Sequence, residues 1–201
     1  AYTLDTARNT AVNTAFKKMY DDGLIYRGYR VVNWDPVGQT TISDIEIVYK
    51  EVEATLYTFR YSKDFPIAIS STRPETKVGD TAVAVHPQDA RYQSFIGKTF
   101  ENISFAGASI SITVVADDSV DPTFGTGALG VTPAHSLIDA DIAKRYNLAT
   151  KQVISEDGKM NEAAGPLVKG KTTKEAREIV VQLLHQEGLI EGEEKTMQNL
   201  A

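Results

Sequence analysis

Two short stretches hold most of the side chains that could do chemistry. Residues 71–76 read Ser-Thr-Arg-Pro-Glu-Thr, which places two threonine hydroxyls beside a guanidinium and a carboxylate. Pro74 forces the chain to turn at this point, so the hydroxyls of Thr72 and Thr76 are expected to project into a pocket. Residues 124–139 read FGTGALGVTPAHSLID. Because the chain has no cysteine, oxygen and nitrogen groups must carry any catalysis.

The second stretch contains a glycine pattern that resembles a dinucleotide-binding turn. Gly125, Gly127 and Gly130 match G-x-G-x-x-G, but that turn must follow a strand directly and open a helix. The polar residues 117–123 precede the glycines, and Pro133 discourages a helix directly after them. The pattern therefore disfavours a nucleotide site. It leaves two uses for glycine here: close approach of backbone N–H groups to a ligand, or a tight turn.

His135 and Asp139 are four residues apart, which is a possible spacing for two metal ligands on one helix face. Ser136-x-x-Asp139 has the form of a capping box, so the helix is expected to begin after His135. The other histidines, His86 and His185, show no ligand spacing, and no metal site is predicted. His135 is instead expected to be a hydrogen-bonded wall residue or to orient a water molecule.

The elements that position these residues follow from hydrophobic periodicity. Apolar residues at helical spacing predict a first helix that ends near Gly23, a second after Ser136, and a third from the Thr172 cap to Gly188. Residues 29–116 consist of short runs rich in Val, Ile, Thr, Tyr and Phe, which predict a β-rich body. A short strand near 152–154 and a turn at Asp157-Gly158 are also predicted.

Composition limits the classes of function. The length of 201 residues and 42% hydrophobic content suit one globular domain with small additions. A net charge of −6 argues against non-specific binding along duplex nucleic acid, but not against a single-strand end held in a local pocket. No signal peptide or membrane span is evident, so a cytoplasmic location with no membrane partner is expected. The first residue, Ala1, suggests a segment of a longer protein.

Three stretches together carry a family resemblance: NWDPVGQTTISDIEIVYKEV at 33–52, STRPETKVGDTAVAVHPQDARY at 71–92, and FGTGALGVTPAHSLID at 124–139. They resemble the editing insertion, connective polypeptide 1, of valyl-tRNA synthetases, within the class I group of valine, isoleucine and leucine enzymes. No stretch resembles the H-I-G-H or K-M-S-K-S motifs of that family. Aminoacylation is therefore not expected from this chain.

The alternation of short β runs with turns predicts an α/β fold with a β-barrel-like core and peripheral helices. We expect residues 1–28 to form an N-terminal helix that leads into the insertion and residues 29–192 to form the editing domain. Residues 193–201 are expected to be a tail toward the missing catalytic domain. The barrel would be closed or nearly closed and built from residues 29–135 and 150–170.

The implied function is post-transfer editing, in which an activated water hydrolyses the ester of mischarged Thr-tRNA(Val). A hydrophobic pocket rejects poorly an isostere that carries a hydroxyl, so a second, polar site is needed. The implied partners are the 3′ acceptor end of the tRNA and the rest of the parent synthetase, with the protein a monomer. No cofactor is implied for editing, whereas the parent enzyme uses ATP and Mg²⁺. Two alternatives are a non-catalytic insertion that docks the acceptor end and an isoleucyl-type editor that clears valine.

The resemblance also implies roles for individual residues. Asp139 would hold the α-ammonium of the misattached amino acid, Thr72 would assist the oxyanion, and Thr132 would recognise the substrate hydroxyl. Arg73 would lie near the terminal nucleotide and Phe124 against its adenine. The other residues expected to bind substrate or tRNA are Ser71, Glu75, Thr76, Gly125, Thr126, Gly127, Gly130 and Ser136.

Each role has a structural alternative. Asp139 could serve as a helix cap, Phe124 could pack in the core, and Thr132 could be an ordinary strand residue. Arg73 could instead pair with Glu75 or Asp80.

Three positions depart from the usual pattern of the valine enzymes. Those enzymes usually have Lys where this chain has Gly130, Asp where it has Ser136, and Thr where it has Ser71. The loss of that Lys and Asp removes two polar groups from the implied amino-acid pocket. Threonine specificity is therefore less well supported than ester hydrolysis.

Overall fold

The computed structural model describes Tyr2 and residues 4–200, and the chain divides into two compact units, Ala1–Arg30 and Val31–Ala201. The first unit contains helix α1 (Thr6–Asp21). Its N-cap is Asp5, whose carboxylate accepts a hydrogen bond from the Arg8 N–H at 2.9 Å. Gly23 follows the helix with a φ of +72°. The helix predicted from apolar spacing is thus confirmed.

The second unit contains all nine β-strands found among the described residues, together with two helices. In chain order they are β1 (Asn33–Asp35), β2 (Thr40–Ile42), β3 (Lys50–Phe59), β4 (Ile69–Ser71), β5 (Ala82–Val85), β6 (Thr99–Phe105), β7 (Ala108–Ala116), β8 (Ala128–Val131), α2 (Leu137–Tyr146), α3 (Thr173–Glu187) and β9 (Ile190–Leu200). They form a β1-β2 hairpin, a three-stranded sheet in the order β4-β3-β9, and a four-stranded sheet in the order β6-β7-β5-β8. Strands β5 and β7 are parallel, and the other pairs are antiparallel.

Strand β5 separates two apolar cores. Its side chains alternate between the sheet faces, and all four residues are buried. Val83 and Val85 belong to the larger core, which also contains side chains of β3, β7 and α3. Ala82 and Ala84 face a smaller core closed by Ile142 of α2. A strand covered on both faces must be apolar throughout, which explains the unbroken run in the sequence.

The expected closed barrel is wrong, because the strands between residues 31 and 200 form separate sheets. Strand β4 is only three residues long, and the chain turns away from it before Pro74. A proline has no N–H to extend a ladder. Strand β8 lies close to β4 but in a different sheet: a Cβ placed on Gly130 would lie 2.9 Å from Ile69 Cδ1. The mixed α/β character that the sequence indicated is confirmed.

The C-terminal residues expected to form a tail lie in a long strand. Strand β9 is eleven residues long and pairs with β3 from Phe59 to Lys50, with one irregularity between Thr58 and Phe59. Residues 193–200 therefore complete the three-stranded sheet. The strand predicted near 152–154 is reduced to a single bridge between Ile154 and Met160, whereas the turn at Asp157-Gly158 is confirmed.

Helix α3 fixes the segment that follows β4. The helix has the predicted capping box, in which Thr172 and Glu175 bond each other's backbone N–H groups, and it ends at Gly188 in the left-handed conformation. From α3, Arg177 donates two hydrogen bonds to the carboxylate of Glu75, at 2.9 and 2.7 Å. Glu75 is completely buried in a 3₁₀ helix, Pro74–Gly79. The pair ties this turn to the helix.

Replacement of Arg177 by Met should destabilise the fold, because it leaves the buried Glu75 carboxylate without a counter-charge. The expected loss in the free energy of unfolding is about 3 kcal/mol, measured by urea denaturation. The double variant Arg177→Met with Glu75→Gln should recover part of this loss. Lys169→Met, which breaks an exposed pair with Glu162, is the control and should change little. Equal losses in Arg177→Met and Lys169→Met would contradict the structural role of the pair.

Candidate functional site

The two stretches singled out in the sequence meet in space. The 3₁₀ helix Pro74–Gly79 lies against β8, because the Lys77 ammonium donates to the Gly130 carbonyl at 2.8 Å. The loop before β8 lies against β4, since a Cβ on Gly125 would come within 2.7 Å of Ser70. A short turn follows β8, and helix α2 begins after it, with Ser136 as the N-cap. The site is thus built where β4, the 3₁₀ helix, β8 and α2 converge.

Asp139 is held at this point in a way that the sequence pattern did not predict. The Ser136 side chain accepts a hydrogen bond from the Asp139 N–H at 3.3 Å, as expected for a cap. The Asp139 carboxylate does not complete the capping box, because its Oδ2 accepts from the Thr132 N–H at 2.8 Å. Among the described residues no donor bonds the other oxygen, Oδ1. Asp139 is 5% exposed, and its carboxylate has one oxygen fixed by a backbone N–H and a second oxygen without a donor among the described residues.

Thr132 joins Asp139 to a buried polar cluster. Its hydroxyl donates to Asp80 Oδ1 and accepts from Lys77 Nζ, the latter at 2.8 Å. Tyr61 donates its phenol proton to the other oxygen of Asp80. The Thr132 hydroxyl therefore has one lone pair left, and toward a substrate it could act only as a hydrogen-bond acceptor.

Sequence reasoning gave no role in the site to Lys77 or Tyr61 and named Asp80 only as a possible partner of Arg73. No periodic signal marks this segment, because every residue of the 3₁₀ helix is buried. The available clue was a Lys and an Asp three residues apart around Gly79, just before the apolar run of residues 82–85.

Burial controls the protonation of this cluster. It raises the pKa of the Asp80 carboxyl, and the negative charge of Asp139 acts in the same direction. The Lys77 ammonium and the hydrogen bonds from Thr132 and Tyr61 oppose the rise in the Asp80 pKa. Burial, then the Asp80 charge, raise the pKa of Tyr61 well above its ordinary value. Tyr61 is therefore a neutral donor.

His135 is neutral and already engaged. Its Nε2 accepts a hydrogen bond from the Val153 N–H at 2.9 Å. Burial, and then the positive charges of Arg73 and Lys77, lower its pKa from 6.5 to about 4. Because Nε2 is an acceptor, the imidazole proton is assigned to Nδ1. His135 can thus donate through Nδ1 to a water molecule, but Nε2 is not free to take a proton.

The end of β4 presents one cation and one free hydroxyl. The Arg73 side chain is 44% exposed, and its Nε lies 3.9 Å from Glu75 Oε1, so it is at most weakly paired. The Thr72 hydroxyl is partly buried and makes no hydrogen bond to another described residue. Ser71 Oγ accepts from the Arg73 N–H at 3.0 Å, which fixes the turn.

The structure does not bring Glu75 and Thr76 to the surface of the site. Glu75 is fully buried and bonded by Arg177, as described above. Thr76 is 4% exposed, and its hydroxyl donates to the Arg73 carbonyl at 2.9 Å. Both residues shape the turn that carries Arg73, and neither is accessible to a ligand in this conformation.

The glycine loop is a tight turn that exposes an aromatic ring. Gly125 and Gly127 have φ values of +55° and +74°, which side-chain-bearing residues adopt only with strain. Gly130 lies within β8, and the next helix begins only at Leu137, so the loop is not a dinucleotide-binding turn. Phe124 is 62% exposed, which excludes packing in the core and leaves its ring free to stack on a base.

Two residues outside the predicted set brace this loop. Arg91 donates to the Pro122 carbonyl at 2.9 Å, and Tyr92 donates its hydroxyl proton to the Thr126 carbonyl at 2.7 Å. A Cβ on Gly127 would lie 2.5 Å from Arg91 Nη2 and 2.7 Å from the Pro122 oxygen. Gly127 is therefore required by its conformation and by its neighbours.

Within residues 4–200 and Tyr2, no group of three or more His, Cys, Asp or Glu side chains is arranged to hold a metal ion. In the same part of the chain, none of the helices has the length and apolar character that crossing a bilayer requires.

Replacement of Gly127 by Ala should destabilise the protein more than the same change at Gly97. Both glycines have positive φ, but a Cβ on Gly97 would have no neighbour within 4 Å. Gly97→Ala should cost about 1 kcal/mol from backbone strain, and Gly127→Ala about 1 to 3 kcal/mol more from the clash with the Pro122 carbonyl. Thermal denaturation measures both losses. Equal melting temperatures for the two variants would show that the loop yields to a side chain.

The low pKa of His135 should make folding stability depend on pH. The folded state binds the His135 proton less well than the unfolded state, so the stabilising contribution is complete above pH 6.5 and falls as the pH is lowered toward 4. In His135→Gln the amide oxygen can still accept from the Val153 N–H, but it does not titrate. The difference in unfolding free energy, wild type minus variant, should therefore decrease from pH 7 to pH 4. Parallel pH curves would contradict the assignment.

Comparison with known proteins identifies the family. Residues 1–186 match the family described as tRNA synthetases class I (I, L, M and V). The chain is 46% identical over 192 residues to a valine–tRNA ligase of Halalkalibacterium halodurans, an alignment that covers 94% of this chain and 21% of that protein. It is 46% identical over 201 residues to the valine–tRNA ligase of Oceanobacillus iheyensis, covering 98% of this chain and 22% of that protein.

Among solved structures, a LeuRS–tRNA–LeuAMS ternary complex of Agrobacterium radiobacter matches with a TM-score of 0.44 and 18% identity, over 98% of this chain and 33% of that one. The chain thus spans about a fifth of the length of the curated relatives that it matches. Because the family match covers nearly all of its residues, the chain belongs to the class I tRNA synthetases of the isoleucine, leucine, methionine and valine group.

Proposed function

We propose that this chain is the editing domain of a valyl-tRNA synthetase and that it hydrolyses the ester linking a misattached threonine to tRNA(Val). One observation carries the proposal: the buried Asp139 carboxylate is turned away from the helix cap and anchored through one oxygen by the Thr132 N–H. A carboxylate that served only as a cap would complete the capping box with the Ser136 N–H. The remaining oxygen has the charge and position to bind an ammonium group.

The reaction divides into steps that these residues can support. Asp139 binds the α-ammonium and thereby fixes the ester carbonyl beside the end of β4. A water molecule attacks the carbonyl carbon, and the Thr72 hydroxyl and nearby backbone N–H groups stabilise the developing oxyanion. The bond to the ribose oxygen then breaks, the ribose oxygen takes one proton from the water, and the second proton is released to solvent. The products are threonine and tRNA with a free 3′ end.

The nucleic-acid side of the site is proposed to be the glycine loop and the end of β4. The exposed ring of Phe124 is suited to stack on the terminal adenine, and the largely unpaired Arg73 is suited to bind a phosphate. The partner is thus the 3′ acceptor end of tRNA(Val), held with the rest of the parent synthetase. As the resemblance implied, no metal or cofactor is assigned a part in the proposed hydrolysis.

A non-catalytic docking role is the second candidate. It is favoured by positions 130 and 136 of the amino-acid pocket, where the valine enzymes usually carry Lys and Asp. Gly130 and Ser136 offer little to a substrate, since one has no side chain and the other caps α2. In addition, the Thr132 hydroxyl donates to Asp80 and retains only an acceptor lone pair. An isoleucyl-type editor that clears valine is a third reading. Deacylation assays with Thr-tRNA, Val-tRNA and Ile-tRNA separate the three. A valyl-type editor hydrolyses Thr-tRNA, an isoleucyl-type editor hydrolyses valine attached to an isoleucine tRNA, and a docking insertion hydrolyses none.

Replacement of Asp139 by Asn should abolish most deacylation with little loss of stability. The amide keeps the size of the side chain and can still accept from the Thr132 N–H, but it no longer carries the charge that holds an ammonium. Hydrolysis of Thr-tRNA should fall roughly 30- to 1000-fold, which corresponds to about 2 to 4 kcal/mol of transition-state binding. The free energy of unfolding should change by no more than about 1 kcal/mol.

Asp141→Asn is the matched control, because Asp141 is an exposed aspartate two residues further along the same helix. It should leave both hydrolysis and stability nearly unchanged. If Asp139→Asn melted earlier but hydrolysed Thr-tRNA at the wild-type rate, Asp139 would be a structural residue, and the catalytic assignment would fail.

A further inference from the structure

Lys77 is a buried lysine whose hydrogen-bonding capacity is fully used. Its Nζ donates to Gly130 O at 2.8 Å and to Thr132 Oγ1 at 2.8 Å, and it lies 3.4 Å from Asp80 Oδ1. An ammonium has three protons, so these three acceptors use all of them. Lys77 therefore has no donor left for a substrate. Any effect of this residue on the site must pass through the groups that it holds.

The lack of a side chain at position 130 makes this arrangement possible. A Cβ on Gly130 would meet the Asp80 carboxylate, and it would lie 2.7 Å from the Tyr61 hydroxyl and 2.9 Å from Ile69 Cδ1. The Tyr61–Asp80 pair thus fills the space that a side chain would need. Because position 130 has no side chain, a positive charge beside Gly130 must come from a neighbouring segment. Lys77 of the 3₁₀ helix supplies this charge.

Thr132 transmits the effect of Lys77 toward Asp139. The Thr132 hydroxyl is held between Lys77 and Asp80, and the N–H of the same residue donates to Asp139 Oδ2 at 2.8 Å. Two hydrogen bonds therefore separate the ammonium from the proposed ligand of the substrate. All of these groups are nine-tenths or more buried, so water cannot readily replace any of the bonds.

We propose that Lys77 is a positioning residue of the site: it fixes Thr132, and through Thr132 it holds the Asp139 carboxylate in the orientation that binds the ammonium of an aminoacyl ester. The substrate in this statement rests on the proposed function. The effect of Lys77 on the Thr132–Asp139 bond is a property of the free chain and is testable without substrate.

The charges around Asp80 add to this role. Four groups face the carboxylate: the Lys77 ammonium, the Thr132 and Tyr61 hydroxyls, and the Asp139 carboxylate. Burial raises the pKa of Asp80, and Lys77 gives the largest opposing effect. Loss of the ammonium should raise the pKa of Asp80 further. A protonated Asp80 would donate a hydrogen bond to Thr132 instead of accepting one, and the threonine side chain would lose its present orientation.

The test compares Lys77→Met with Lys151→Met in the 201-residue chain. Lys151 is a matched control, because its partly buried ammonium donates to the Val78 carbonyl of the same 3₁₀ helix at 3.0 Å but does not touch Thr132. In Lys77→Met the exchange of the Thr132 amide proton, followed by NMR, should become at least about tenfold faster. The kcat/KM for Thr-tRNA hydrolysis should fall roughly 10- to 100-fold. Lys151→Met should show neither change.

A double variant separates positioning from simple stabilisation. Lys77→Met leaves Asp80 buried without its counter-charge, which raises the cost of ionising its carboxyl. In the second change, Asp80→Asn, the group is neutral and does not titrate. We expect the double variant to regain most of the lost melting temperature, while the Thr132 amide still exchanges rapidly and hydrolysis stays low. Recovery of slow exchange and of hydrolysis together with stability would overturn the proposal, because Lys77 would then act only on folding.

Failure of the positioning role of Lys77 can be distinguished from failure of the proposed editing function. If the wild-type chain hydrolysed none of the three aminoacyl-tRNAs, the editing proposal would fail, but the amide exchange of the free chain would still test Lys77. A Thr132 amide that exchanged as slowly in Lys77→Met as in Lys151→Met would overturn the positioning role.

Discussion

The site depends on the hydrogen bonds of Thr132, whose hydroxyl is fixed by Asp80 and Lys77 and whose amide fixes Asp139. These bonds connect three segments: the 3₁₀ helix after β4, the end of β8 and the first turn of α2. The bond from Lys77 to the Gly130 carbonyl adds a second link between the 3₁₀ helix and β8. The bonds also decide which groups remain open to a ligand. They use the donor of Thr132 and one oxygen of Asp139, and they leave the second oxygen of that carboxylate.

Titratable side chains are costly to bury in their charged form, and this fold buries several around the candidate site. Glu75, Lys77, Asp80 and Asp139 are each less than a tenth exposed. The cost is offset by pairing, since Arg177 holds Glu75 and Lys77 lies beside Asp80. The two apolar cores on either side of β5 supply the burial energy that such a cluster requires. A fixed carboxylate in surroundings of low dielectric attracts a cation more strongly than one in water, which suits the proposed binding of an ammonium.

The three glycines of the G-x-G-x-x-G pattern are required for different physical reasons. Gly125 and Gly127 adopt positive φ in a turn that is braced by Arg91 and Tyr92. Gly130 lies in an ordinary strand, and there a side chain is excluded because Tyr61 and Asp80 fill the space. The regular spacing that resembles a nucleotide-binding motif therefore arises from two unrelated constraints. One constraint is local to the turn, and the other is imposed by Tyr61, which follows β3, and by Asp80 at the end of the 3₁₀ helix.

The sequence by itself determined the features that depend on local interactions. Apolar spacing and caps placed all three α-helices, and the β-branched runs placed β3, β5 and β7. The motifs located the two segments that meet in the candidate site, and Asp139 and Arg73 lie in them. Tertiary structure decided what depends on partners far along the chain. Residues 193–200 became a strand because β3 offered a free edge, and β4 ended too early for a barrel to close. Lys77 and Tyr61 entered the site because Gly130 left room for a buried pair, a condition that no local pattern in the sequence records.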